Sequence, residues 1–238
     1  MHIIPVIDLQ GGVVVRARMG QRDQYRPIET PLAPTSAPLD VARGLLSIHP
    51  FTTLYVADLD AITGKDDNDA TLARLRAAFP QVTLWVDNGI ADAGRAAAWL
   101  AAGLGHLVIG SETQADATLL RRLAGDGRIA LSLDFRGDAF QGPAELLDPA
   151  CWPERVIVMT LARIGSGAGP DLDRLADIRR KAGARAIYAA GGVRDTQDLA
   201  LLKRHGIAGA LVATALHDGR LTAASITAVD AEVALPTA

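Results

Sequence analysis

The sequence predicts a single (β/α)8 barrel over residues 1–238, assembled from two similar half-barrels of roughly 1–126 and 127–238. Three observations predict it. Short apolar runs alternate with helical segments about eight times along the chain. Eight such units in 238 residues is the arithmetic of this barrel. Stretches of the second half also repeat the first at a nearly constant offset.

The strand-like runs fall at 2–8, 53–58, 82–86, 106–109, 129–134, 155–160, 186–190 and 209–213. They are rich in Val, Ile and Leu and apolar throughout, as parallel strands covered on both faces are. Helical segments are expected at 38–47, 68–78, 91–102, 114–124, 171–182, 195–204 and 220–229, with a weaker candidate at 143–148. Pro170-Asp171 and Asp195-Thr196 are helix-start signals. A doubly wound sheet is the alternative, but it usually has fewer units and a phosphate fingerprint after its first strand. Here the first strand runs into Leu9-Gln10-Gly11-Gly12, with no G-x-G-x-x-G opening a helix.

The repeat pairs LYVADLDAI with VIVMTLARI, setting Asp58 against Thr160 at an offset of 102. Residues 86–90 align with 189–193 at an offset of 103, and Leu107-Val108 with Leu211-Val212 at 104. Asp8 aligns with Asp134 at 126, the excess lying in the long first loop from Leu9 to Pro38. Loops of that length in a compact barrel are usually lids or binding loops.

Composition excludes several classes. Lys+Arg number 24 against Asp+Glu 27, a net charge of -3, which argues against holding nucleic acid or an anionic membrane by bulk charge. Aromatics at 4% leave few stacking platforms for single strands. The lone Cys151 permits no intrachain disulfide and no thiolate zinc cluster. No run approaches the roughly 20 apolar residues of a membrane span, and the beginning MHIIPVIDL does not read as a secretory signal. The expected setting is cytoplasmic.

In such barrels chemistry sits at the C-terminal ends of the strands. Asp8 and Asp134 each end an apolar run there, at matched half-repeat positions. A lone Asp at such a place is best read as a turn cap. Two, opposed across a mouth, can divide acid and base work. Gly191 and Gly192 after the seventh strand, with Ala213 and Thr214 after the eighth, form a candidate phosphate cradle whose glycines let backbone N–H groups approach an anion. The matching place in the first half offers Gly89, Gly110 and Ser111, but also Asp87. A carboxylate about 4 Å from a phosphate charge costs on the order of 4 kcal/mol at an effective dielectric of 20. Arg16, Arg22 and Arg163, with Thr160, are candidate lid or substrate contacts, and arginine suits bidentate capture of phosphate. His2, His49, His106, His205 and His217 show no metal-ligand spacing, so no metal site is expected.

Several stretches stand out in order along the chain: Ile4-Pro5-Val6-Ile7-Asp8-Leu9 with Gly12, Ala57-Asp58-Leu59-Asp60-Ala61-Ile62 with Gly64, Val108-Ile109-Gly110-Ser111, Leu133-Asp134, Gly169-Pro170, Ala190-Gly191-Gly192-Val193, and Ala215-Leu216 with Gly219. Together they resemble the histidine-biosynthesis barrels, that is, the phosphoribosylformimino-AICAR-phosphate isomerase and the cyclase subunit of imidazole glycerol phosphate synthase (the HisA/HisF family). The resemblance implies a two-fold barrel with two phosphate cradles and one catalytic Asp on each of the first and fifth strands, here Asp8 and Asp134.

Departures are visible. Asp87-Asn88-Gly89-Ile90-Ala91 stands where the isomerases carry a Gly-Gly-Gly-Ile-Arg type cradle. Thr160-Leu161 replaces Thr-Asp, and Ala213-Thr214 replaces Gly and a basic residue. With its first loop, the chain is more similar to the divergent HisA/HisF-related proteins of methanogens and methylotrophs, which make methanopterin-type one-carbon carriers.

The expected activity is an Amadori-type aldose–ketose isomerisation of a phosphorylated small molecule. By resemblance Asp8 is the base and Asp134 the acid, and the chemistry needs no metal or redox cofactor. The weakened first cradle predicts a substrate with one phosphate. The alternatives are the histidine-pathway isomerase itself and, in another class, a non-catalytic barrel that binds a phosphometabolite or a protein partner.

Overall fold

A computed structural model describes residues 1–123 and 125–231. Eight parallel strands form a closed barrel: β1 (His2–Gln10), β2 (Thr53–Asp58), β3 (Thr83–Asp87), β4 (His106–Gly110), β5 (Ile129–Arg136), β6 (Arg155–Thr160), β7 (Ala186–Ala190) and β8 (Gly209–Val212). Each pairs with its successor in the chain. β8 closes on β1 over His2–Pro5, which removes the open edges a flat sheet would expose.

Helices Pro38–Ile48, Asp69–Ala78, Ala93–Ala102, Thr118–Arg122, Leu172–Lys181, Thr196–Arg204 and Ala223–Ala231 cover the outside. The expected helix over 114–124 is confined to Thr118–Arg122, and residue 124 lies outside the described residues. Gln114 instead is extended, with its amide donating to the Ile90 carbonyl at 3.1 Å. The candidate at 143–148 is a 3-10 turn, Ala144–Leu147, followed by a second over Pro149–Cys151. Pro149 lacks the N–H that a continuing α-helix would use.

The half-repeat is visible in three places. β1 and β5 are the longest barrel strands, and each continues into an antiparallel hairpin, with Val13–Arg16 and Ala139–Phe140 respectively. A short helix, Leu59–Ile62, follows β2, and a 3-10 turn, Leu161–Arg163, follows β6. Turns Ser111–Thr113 and Thr214–His217 follow β4 and β8. The long first loop, read as a lid, is thus partly sheet: Val13–Arg16 pairs with β1 and with the short strand Arg26–Pro27.

Two cores result from the alternation of side chains along each strand. Ile7, Val56, Val86 and Leu131 point outward against the helices. Ile4, Tyr55, Trp85, Ile157, Tyr188 and Leu211 fill the barrel. Its N-terminal end is plugged by Trp85, which meets Tyr188 edge-on with ring centroids 5.1 Å apart. The C-terminal end is left to the functional groups.

Asp58 caps the turn after β2. It is fully buried and accepts from Ala61 N–H at 3.1 Å, Asn68 N–H at 2.8 Å and Asn68 Nδ2 at 2.7 Å. Asp58→Ala strands three donors, each costing roughly 1–3 kcal/mol. A loss of about 3 kcal/mol or more in denaturant unfolding is expected; a loss under about 1 kcal/mol would show that water replaces the carboxylate.

Candidate active site

A cavity of about 420 Å³ opens at the C-terminal mouth of the barrel. Because successive side chains alternate, Asp8 lies on the same inner face of β1 as Ile4, Asp87 follows Trp85 on β3, and Asp134 follows Ala130 on β5. All three carboxyl groups line the cavity. Asp8 and Asp134 stand four strands apart in an eight-stranded ring, so they face each other across it.

Their environments differ. Asp134 is buried, with Ser132 Oγ donating at 2.7 Å and Glu112 N–H at 3.3 Å. Ser111 Oγ lies 3.1 Å from the Asp134 carboxyl and 2.7 Å from the Gln141 carbonyl, and accepts from Asp134 N–H at 2.9 Å. Burial raises Asp134 to about 6, against the pull of the Ser132 hydroxyl. Asp8 is half-buried and its carboxyl has no hydrogen bond among the described residues. Burial raises it to about 7, while the Arg22 guanidinium acts in the opposite direction. Asp87 is pushed to about 8 by burial first and then by the charge of Asp134. Carboxyl groups whose environments separate their pKa values are suited to sharing acid and base roles.

Gly191, Gly192, Ala213 and Thr214 line the cavity together, beside Arg163. Both glycines have positive φ, +98° and +92°. A Cβ on Gly192 would stand 2.2 Å from the Gly169 carbonyl oxygen, so only glycine lets this loop pack under its neighbour. Arg16 also lines the cavity; it pairs with Asp218 at 3.2 Å. Arg163 donates to the Gly169 carbonyl at 3.0 Å, and Arg22 is paired with Glu112.

Four expected contacts do not line the cavity. Thr160 is buried, and its carbonyl backs onto Gly191. Ser111 is fully buried and its hydroxyl serves Asp134 and Gln141. Gly110 lies under the Asp87 carboxyl, whose Oδ2 would be 2.9 Å from a Cβ there. Gly89 backs onto Ile62 and donates its N–H to Asp87 Oδ1 at 3.2 Å. At the first-half cradle the Gly89 and Glu112 N–H groups are thus already accepted by the Asp87 and Asp134 carboxyls.

Sequence reasoning passed over Tyr55, Glu112, Arg136 and Arg220, all of which line the cavity. Tyr55 was legible from the period of two, since it lies on the inner face with Ala57. The other three come from turns and a hairpin that only folding brings to the mouth.

Comparisons with known proteins agree with this architecture. A family model described as "Histidine biosynthesis protein" matches residues 2–222. A Sphingopyxis alaskensis protein named as a phosphoribosyl imidazole-4-carboxamide isomerase is 31% identical, with 97% of this chain and 98% of that one covered. A Deinococcus radiodurans protein of the same name is 30% identical, covering 92% and 95%. An uncharacterized protein of Methanocaldococcus jannaschii is 27% identical, covering 93% and 95%. With a match over nearly the whole chain, on a closed barrel of the expected strand order, the chain belongs to the histidine biosynthesis protein family.

Proposed function

We propose that the protein is an isomerase that converts a phosphorylated aminoaldose into the corresponding aminoketose. The observation that carries this is the opposition of Asp8 and Asp134 across one cavity that also holds the Gly191–Gly192 loop. The loop and Thr214 bind the phosphate and orient the sugar. One carboxyl protonates the ring oxygen as the C1–O bond breaks and the nitrogen lone pair forms C1=N. The other carboxylate takes the C2 proton, and the C–H electrons become C1=C2 as the iminium nitrogen is neutralised. Protonation at C1 and loss of the C2 hydroxyl proton give the ketone. Atoms and electrons balance without an oxidant.

Between pH about 6 and about 7 the pair carries one proton, so an acid and a base coexist. In that window the higher value places the proton on Asp8 and the charge on Asp134, so that Asp8 is acid and Asp134 base, opposite to the roles the resemblance implies; the Arg22 guanidinium acts to lower Asp8, but burial outweighs it.

The isomerase names of the relatives support the reaction class. A divergent paralogue acting in methanopterin-type cofactor synthesis is the reading the resemblance implies, and Asp87 at the first-half cradle supports a substrate other than that of the histidine pathway; the histidine-pathway isomerase is the alternative. The test is turnover of two substrates by purified protein, with Asp8→Asn as control. One is the histidine-pathway aminoaldose, followed optically. The other is a glycosylamine formed from ribose 5-phosphate and a primary amine, followed by carbon NMR at C1. Rearrangement of the glycosylamine alone supports the paralogue. Turnover of the histidine substrate establishes the alternative. Neither exceeding the control, from folded protein, overturns the isomerase and leaves a binding barrel.

A further inference from the structure

The two halves of the mouth carry opposite charge. Around the glycine loop on β7 and β8 lie Arg16, Arg163, Arg194 and Arg220. Asp218 partners Arg16 and Arg220, Asp198 partners Arg194, and among the described residues Arg163 donates only to carbonyl oxygens. Across the barrel, on β3 to β5, lie Asp87, Asp134 and Glu112, with Arg22 committed to Glu112 and Arg136, at the end of β5, donating to the Gly20 carbonyl.

The second-half loop and its first-half counterpart therefore differ in kind. Ala190, at the end of β7, leaves the Gly191–Gly192 backbone open to the cavity. Asp87 holds the matching place on β3 and takes the Gly89 N–H for itself. Asp134 takes the Glu112 N–H in the same way. These are the backbone donors an anion would need there, and two side-chain carboxyls already occupy them.

A second group points to what would bind instead. Tyr55 is 2% exposed, lines the cavity, and its hydroxyl has no hydrogen bond among the described residues. Tyr55 lines the same cavity as Asp87, Asp134, Asp8 and Glu112. The Asp87 Oδ2 and both Asp8 oxygens are likewise free of hydrogen bonds among the described residues. Among those residues, no three His, Cys, Asp or Glu side chains converge as metal ligands. A concave floor with surplus acceptors and one buried hydroxyl matches a ligand end that donates hydrogen bonds.

We propose that the β3–β5 side of the mouth holds the unphosphorylated, hydroxyl- or amine-bearing end of a singly phosphorylated substrate, and that Asp87 sets this specificity. This rests on the reading that Gly191, Gly192 and Thr214 hold the one phosphate. Asp87 acts in two ways. It withholds the Gly89 N–H, and its ionised form repels a second phosphate. Its free oxygen accepts from a hydroxyl or ammonium group in that place.

The test is calorimetric binding of ribose 5-phosphate and ribose 1,5-bisphosphate to the wild-type protein, Asp87→Gly and Asp87→Asn, at pH 8.5, with inorganic phosphate as competitor. The wild-type protein is expected to bind the monophosphate at least tenfold more tightly. Asp87→Gly shifts that ratio at least tenfold toward the bisphosphate, by freeing the Gly89 N–H. Asp87→Asn shifts it less, removing charge alone, and carries the test if the glycine variant does not fold. A wild-type preference for the bisphosphate, or a ratio unmoved in the variants, overturns the role of Asp87 and leaves the phosphate loop standing. Failure of both sugars to bind, or of inorganic phosphate to displace them, overturns the phosphate loop and this proposal with it.

Discussion

Asp8→Asn is expected to lower kcat by about 10²–10⁴-fold, the range a positioned acid or base supplies. Asp134→Asn is expected to do the same, and the double variant to be little worse than either, as groups acting on one proton path are. The wild-type pH profile carries the same information. With the pair at about 6 and about 7, kcat/KM peaks between those values. It falls tenfold per pH step on the acid side, where both carboxyls are protonated, and likewise on the basic side, where both are ionised. These values belong to the pair, and each single substitution collapses the bell to one arm. A flat profile, or an Asp8→Asn enzyme within about threefold of wild type, would remove Asp8 from the chemistry.

Asp87→Asn is expected to stabilise the fold at neutral pH. The sign follows from linkage. A carboxyl at about 8 when folded, against an ordinary 3.8, binds more protons in the native state than in the unfolded one through that interval. Its contribution is fully present below about pH 4 and is lost as pH rises toward 8. At 1.36 kcal/mol per pH unit the Asp87 share at pH 7 is at most roughly 4 kcal/mol, before relaxation or coupling to Asp134. Asparagine keeps a carbonyl oxygen for the Gly89 N–H and removes the group that resists ionisation. Denaturant unfolding at pH 5 and pH 8 is the check. The advantage of the variant should widen by at least 1 kcal/mol between the two. Equal stability at both would mean that water reaches Asp87 and keeps it an ordinary acid. Acidic residues retained at such a cost are characteristic of functional sites.

Much of the architecture was legible before folding. Eight apolar runs bounded by turn residues mark eight strands, because a strand covered on both faces admits no polar period; the expected 53–58, 155–160 and 186–190 coincide with Thr53–Asp58, Arg155–Thr160 and Ala186–Ala190. Helix ends were less legible where a tertiary contact overrode local preference, as with Gln114 held extended by Ile90. Asp8, Asp134, Gly191 and Gly192 could be placed at the mouth because strand ends and half-repeat positions are properties of order along the chain. The first-half cradle could not be judged that way. Gly89, Gly110 and Ser111 have the composition of an anion site, and their donors are local. Whether those donors face a ligand or a side chain depends on where the Asp87 carboxyl turns and on Ser111 reaching Asp134, 23 residues away. Period and spacing are local quantities, and they carry the barrel and the carboxyls and glycines at its mouth. Which acceptor claims each backbone N–H, and how far burial moves each carboxyl, is settled by groups from β1, β3, β4 and β5 meeting in one low-dielectric mouth.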